Sequence, residues 1–402
     1  MAIPTLPFGV RERRLNPARH LPTPLSPFHE QTLARAAANL AEPFLGITTD
    51  GSVVPGLFSL HQTGVATKPL KDAAEAYLAS LDATQRRTTS FEMHDAAWQR
   101  WNNTHPFIMR HGVLIETLDS NQRSLALGLV QASLSMRGSE TARDIMRLNE
   151  TIGEITGSWE EYGEWLYWLS IFGTPSADEP WGWQIDGHHL NLNCVVIGDQ
   201  IVMTPMFMGS EPTHAPVGKY TGTRVFEAEE QTGLAFMHSL SDAQRDQAIV
   251  FRSNRPGELP DGRTHPTEGR MQGRAFLDNL QLPYEGLRAE GLTRLQQEQL
   301  LGLIEVYIGR LRPGHDRVKM AEVQQHLSET HVAWFGGIDD DSTFYYRVHS
   351  PVLLIEFDHL RGIALDNDEP ARTHVHTTVR TPNGNDYGKD LLRQHYARVP
   401  HR

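Results

Sequence analysis

Through the first third of the chain, apolar positions recur every three or four residues, the spacing of one face of a helix. The alanine-rich stretch 31–40, ending before Pro43, reads this way, as do segments at about 68–82, 90–102, 120–135 and 139–156. Arg137-Gly138-Ser139 separates the last two as a helix stop followed by an N-cap residue. From Trp165 the composition turns aromatic and β-branched, as strands prefer, over 165–172. Residues 181–197 read as one long strand, Gly198-Asp199-Gln200 as a turn and 201–207 as the returning strand of a hairpin. Helical spacing resumes over 234–240 and 241–250, the second opening with Ser-Asp-Ala-Gln, a capping-box type of start. Segment 252–274, rich in Gly, Pro, Arg and His, is expected to be a long loop, and loops of that length in compact domains are often functional. Helices follow at 293–311 and about 315–328, broken at Pro313-Gly314. Strands are expected at 332–335, 343–349, 352–358 and 372–380, with a short closing helix at 391–396.

These elements predict an α+β fold: helices packed on a mainly antiparallel sheet, with an N-terminal helical layer. Residues 1–28 hold six prolines and are expected to form an extended arm over the surface. The remainder, 29–402, is expected to be one large domain, mostly helical over 29–160 and carrying the sheet and the site over 161–402. No internal repeat is present at a solenoid period.

Charge and cysteine content narrow the function classes. The net charge of -12, with no basic run longer than Arg11-Glu12-Arg13-Arg14, argues against a nucleic acid partner. The single cysteine, Cys194, rules out an internal disulfide framework, and with Leu192 and Val196 on its strand face it reads as a buried, inert thiol. No stretch reaches the ~18–20 apolar residues of a membrane span, and the N-terminus lacks a charged start followed by an apolar core. A cytoplasmic protein without a membrane anchor is therefore expected. Twenty histidines and eight tryptophans are the unusual counts, and the histidines fall in short clusters.

One cluster is the strand at 372–380, where alternation places His374, His376, Thr378 and Arg380 on one face. Cα atoms two apart in a strand are ~6.5–7 Å apart, from which both imidazoles reach one metal ion. The plain alternative is two histidines on a half-solvated strand that bind nothing. On the preceding strand, Val352, Leu354, Glu356 and Asp358 share a face. A return of the chain through 360–371 would set both carboxylates beside His374 and His376. Such a mixture suits zinc, iron or manganese, with Asp358 as ligand and Glu356 as base; pairing with arginines such as Arg347 or Arg380 is the alternative.

A second cluster is Asp186-Gly187-His188-His189. Adjacent histidines cannot both point the same way in a regular strand, so one would bind the metal and the other hydrogen-bond behind it. His188, on the apolar face with Leu190, Leu192 and Cys194, also reads as a core histidine. Gly187 permits a close backbone approach or a bulge. Glu211, at a strand end, is either a general base or part of a turn. Arg380 with Asn383 and Asn385 can grip an oxyanion, Arg347 and Trp183 are further candidates for contacting substrate, and each has a purely structural alternative. There is no dinucleotide fingerprint, P-loop, His-Glu-x-x-His or Gly-x-Ser-x-Gly.

The strings PWGWQIDGHHLNLN, MFMGSEP, FYYRVHSPVLLIEFDH and HVHTTVRTPNGNDYGKDLLRQHY resemble the bacterial and fungal family called domain of unknown function 3500, over roughly residues 90 to 396. The resemblance implies that Gly187, His188, His189, Glu211, His349, Glu356, Asp358, His374, His376 and Arg380 belong to one site. It implies neither reaction nor substrate. Three function classes follow. The first is a hydrolase acting on a small polar or anionic molecule through a divalent metal, zinc foremost, with iron, copper or manganese as alternatives. The second is an iron or copper oxidoreductase on the same ligands. The third is a binding protein for a small anionic molecule, without metal.

Overall fold

The computed structural model describes residues 5–13, 17–21, 23–103 and 110–398. Thirteen strands among them join one sheet. They are Ser90–Phe91 (β1), Val113–Leu114 (β2), Tyr167–Phe172 (β3), Trp181–Gly187 (β4), Leu190–Ile197 (β5), Gln200–Val202 (β6) and Met206–Ser210 (β7). The second half adds Ile249–Phe251 (β8), Leu287–Arg288 (β9), His331–Gly336 (β10), Phe344–Ser350 (β11), Leu353–His359 (β12) and Val375–Arg380 (β13). Their order is β1-β3-β4-β5-β7-β13-β12-β11-β10-β8, with β2, β6 and β9 attached to β3, β5 and β10. The fold is α+β, but the sheet is mixed: its end pairs, β1 with β3 and β8 with β10, are parallel. The expectation of a mainly antiparallel sheet is corrected at those two ends.

Each face of the sheet has its own character. Alternation puts Ile185, Leu192, Met206, Val379, Ile355 and Val348 on one side, where the large core cluster lies. Helices Ser120–Ser133, Met136–Thr156, Glu227–Ser239 and Arg294–Ile308 cover that side. Trp183 Nε1 donates to Ser133 Oγ at 3.0 Å, and the Tyr346 and Tyr307 hydroxyls meet at 2.6 Å. The opposite side is polar yet buried, carrying Asp186, Asn191, Thr378, Glu356, Arg347, His376, Asp358 and Arg380. Burial of so many polar groups is tolerable only if each finds partners. Irregular chain supplies many of them.

Several expected boundaries move for physical reasons. Helix Met136–Thr156 starts on Ser135, not Ser139, and includes Gly138, where a Cβ would lie 2.3 Å from the Arg310 carbonyl oxygen. The expected helix at 90–102 is instead β1 and a single turn, Ala96–Gln99, because Trp98 and Trp101 insert singly into the interior. Pro205 lacks an N–H and lies in the gap between β6 and β7, where one strand was expected. The capping box at Ser241 and Gln244 forms as read. The N-terminal arm ends where helix Pro27–Ala41 begins, and Val10 bridges Leu365 while Arg13 pairs with Glu161. Its residues 1–4, 14–16 and 22 lie outside the described residues. No helix among the described residues is long and apolar enough to cross a membrane.

Candidate metal centre

Residues 181–197 form two strands, not one. β4 and β5 pair from Gly187↔Leu190 outward, leaving His188 and His189 as the two residues of a tight turn. The turn brings His189 against β7, where its carbonyl accepts from Gly209 N at 2.8 Å. Gly209 is the register partner of His376 on β13, which in turn pairs with Asp358 on β12. A Cβ at position 209 would lie 3.0 Å from Cδ2 of both His189 and His376. Glycine there lets the two imidazoles close over the backbone. His374, two residues before His376, adds a third ring.

The three Nε2 atoms form a triangle. His189 to His376 is 3.1 Å, His374 to His376 is 3.1 Å and His189 to His374 is 3.3 Å. All three residues are buried. Nitrogens bound at ~2.0–2.1 Å in a tetrahedral zinc site are about 3.3 Å apart, so the triangle has the size of one face of such a site. Proton positions point the same way. His374 Nδ1 lies 2.8 Å from the Arg361 carbonyl, which only accepts, so the proton sits on Nδ1 and Nε2 offers a lone pair. His376 Nδ1 faces the Glu268 carboxylate at 3.5 Å, which favours the same tautomer. Burial lowers the His374 pKa to about 4, against the pull of Glu211. In these tautomers the Nε2 lone pairs of His374 and His376 face each other at 3.1 Å, a repulsion that a shared cation converts into ligation. The group can hold a metal ion.

Other candidates from the sequence are placed differently. The long segment expected at 252–274 lies across the polar face and binds it residue by residue. Arg270 pairs with Asp358, its backbone N and Nε each 2.7 Å from the carboxylate. Burial raises Asp358 to about 6 even so. Glu356 accepts from Gln272 N at 2.8 Å, Gly273 N at 2.6 Å and the Tyr345 hydroxyl at 2.5 Å. Arg380 pairs with Asp278 at 2.6 Å and Asp386 at 2.7 Å. Arg347 pairs with Glu285 at 2.6 Å. These four side chains anchor the covering chain, and none belongs to the histidine triangle.

Glu211 accepts from the backbone N–H groups of Ile363, Ala364 and Leu365, and so fixes the loop before His374. It lies 3.7 Å from His374 Nδ1. His188 is not one of the three: its Nδ1 hydrogen-bonds Asn149 at 2.9 Å, and its ring stacks on that of His189. Asn383 is spent on Val54 N and the Pro351 carbonyl, and Asn385 accepts from Leu391 N. Trp183 is a core residue of the helical side. His349, on β11, packs its ring against Tyr284 and pairs in register with His331, outside the triangle.

Sequence reasoning missed Glu268 and Arg270, whose only signal was their place in the Gly- and Arg-rich segment 252–274, and Asp278, which lies just beyond it. Asp186, named with the second histidine cluster, is buried at the end of β4. One of its oxygens accepts from Asn102 N at 2.9 Å and Asn191 Nδ2 at 2.8 Å, while the other has no hydrogen-bond partner among the described residues. Burial pushes its pKa well above the ordinary value.

A family model described as a protein of unknown function (DUF3500) matches residues 63–389. Among curated proteins nothing matches, and among solved structures nothing matches.

Proposed function

The chain belongs to the DUF3500 family, whose description carries no activity, and we propose from the histidine triangle that it is a metal-dependent hydrolase acting on a small polar or anionic substrate. The observation that carries this reading is the donor set: three imidazole Nε2 atoms 3.1 to 3.3 Å apart, with Asp358 withdrawn into its ion pair with Arg270. Three histidines without a carboxylate match the zinc arrangement that leaves one position for water, rather than the two-histidine, one-carboxylate set of non-haem iron. Bound there, zinc would supply a water ionising near neutral pH and a charge to polarise the substrate.

The protein's own groups have positioning tasks. Arg361 O and Glu268 hold His374 and His376 in the tautomer that presents Nε2, and Gly209 gives the rings room. Glu356 and Glu211 are saturated by backbone N–H groups and are poor candidates for a base. Elemental analysis of untagged protein tests the reading. One equivalent of zinc, with hydrolysis of activated esters lost on chelation, is expected. Iron or copper with dioxygen consumption would transfer the site to oxidation, and no metal after reconstitution would leave a binding protein.

A further inference from the structure

A cavity of about 430 Å³ lies between helix Pro27–Ala41 and the covering segment, and Glu268 forms part of its wall. Two arginines line it. Arg35 Nη1 lies 2.6 Å from His265 Nε2, and Arg274 Nη1 donates to the Met271 carbonyl at 2.7 Å. Among the described residues neither guanidinium has a carboxylate partner within ion-pair distance, whereas the buried Arg270, Arg310, Arg347 and Arg380 all do. Arg274 is half-buried, and burial lowers its pKa against the pull of Glu268 and Glu356. A guanidinium held out of water without an anion is costly, and its fork of donors matches a carboxylate or phosphate. Of the acids in the wall, Glu42 receives the Asn279 amide at 3.3 Å and Glu268 receives the Asn103 amide at 2.9 Å. Phe28 and Phe276 add apolar surface beside the arginines.

We propose that this cavity is a binding site for a small oxyanion, a carboxylate or a phosphate, held by Arg35 and Arg274. The site stands on these two arginines and does not require the metal. It ends on the carboxylate that faces His376, so its occupant bears on the histidine triangle through Glu268.

Calorimetric titration of the full-length protein with succinate and, separately, inorganic phosphate tests the proposal, in metal-stripped and metal-loaded forms. Saturable binding of at least one anion is expected in both forms, weakened tenfold or more in Arg274→Gln and in Arg35→Gln. The preferred anion distinguishes a carboxylate ligand from a phosphate. Should Arg274→Gln not fold, Arg35→Gln, altering an exposed side chain, carries the comparison. Absence of saturable binding, or unchanged binding in the variants, would overturn the site. Binding confined to the metal-loaded form would place the anion on the metal instead.

Discussion

His189 sits at φ 64, in the left-handed region that a histidine occupies at a cost of roughly 1 kcal/mol relative to glycine. Glycine or asparagine would serve the turn better, so the residue is there for its ring. His189→Gly is therefore expected to leave the metal-free protein as stable as before or about 1 kcal/mol more so by urea denaturation, while abolishing metal retention. Stable metal retention in that variant would remove His189 from the ligand set. Glu268 acts one bond further out. Glu268→Gln keeps the size but loses the charge behind His376 Nδ1, and a drop in metal affinity of about 10–100-fold, measured by competition with a chelator, is expected. An unchanged affinity would remove Glu268 from the support of His376.

At the scale of elements, the covering segment and the strands beneath it form one unit, since Arg270, Gln272, Gly273, Asp278 and Glu285 each bind a polar side chain of β11, β12 or β13. Arg380 shows how strongly. Its charge is fully buried and satisfied by Asp278 and Asp386, which raise its pKa above the usual arginine value. Asp386→Asn removes one of those charges from a dry site and is expected to cost about 3–5 kcal/mol, read by urea denaturation, with the metal content of folded protein unchanged. A loss of metal at intact stability would restore Arg380 to the chemistry. The faces of β12 and β13 were legible in the sequence because Ile355, Phe357, Val375 and Val379 alternate there with Glu356, Asp358, His376 and Arg380, and the shared face of His374 and His376 follows from it. The fate of Glu356, Asp358 and Arg380 was not, because their partners lie some 80 to 110 residues away in a loop without periodicity. The turn at His188-His189 was hidden for another reason: the strands on both sides are buried, the turn-type residues Gly182, Asp186, Gly187, Asn191 and Asn193 are spread through the run, and the turn itself holds two histidines.

The whole molecule is a sheet with one apolar side against helices and one buried polar side under irregular chain. The layers were readable from helix and strand spacing, while the order of the strands and the parallel end pairs depend on long-range contacts that spacing does not encode. Burying neutral histidines makes such a molecule sensitive to acid. His374 has a folded pKa of about 4 against roughly 6.5 unfolded, so its contribution is complete above pH 6.5 and is lost as the pH falls toward 4. The same sign holds for His265 and His315, each lowered to about 4 chiefly by burial. Asp358, raised to about 6, opposes them in part, because the folded form takes up its proton first. The metal-stripped protein is therefore expected to lose up to roughly 3 kcal/mol through His374 alone between pH 6.5 and 4, seen as a falling urea midpoint. A midpoint constant over that range would contradict this. The central claim, that His189, His374 and His376 hold one ion, is tested most directly by counting metal per chain. After reconstitution and desalting, wild-type protein should carry one equivalent, and His376→Ala, with an unchanged circular dichroism spectrum, should carry none. No metal in the wild type, or a full equivalent in the folded variant, would contradict the account.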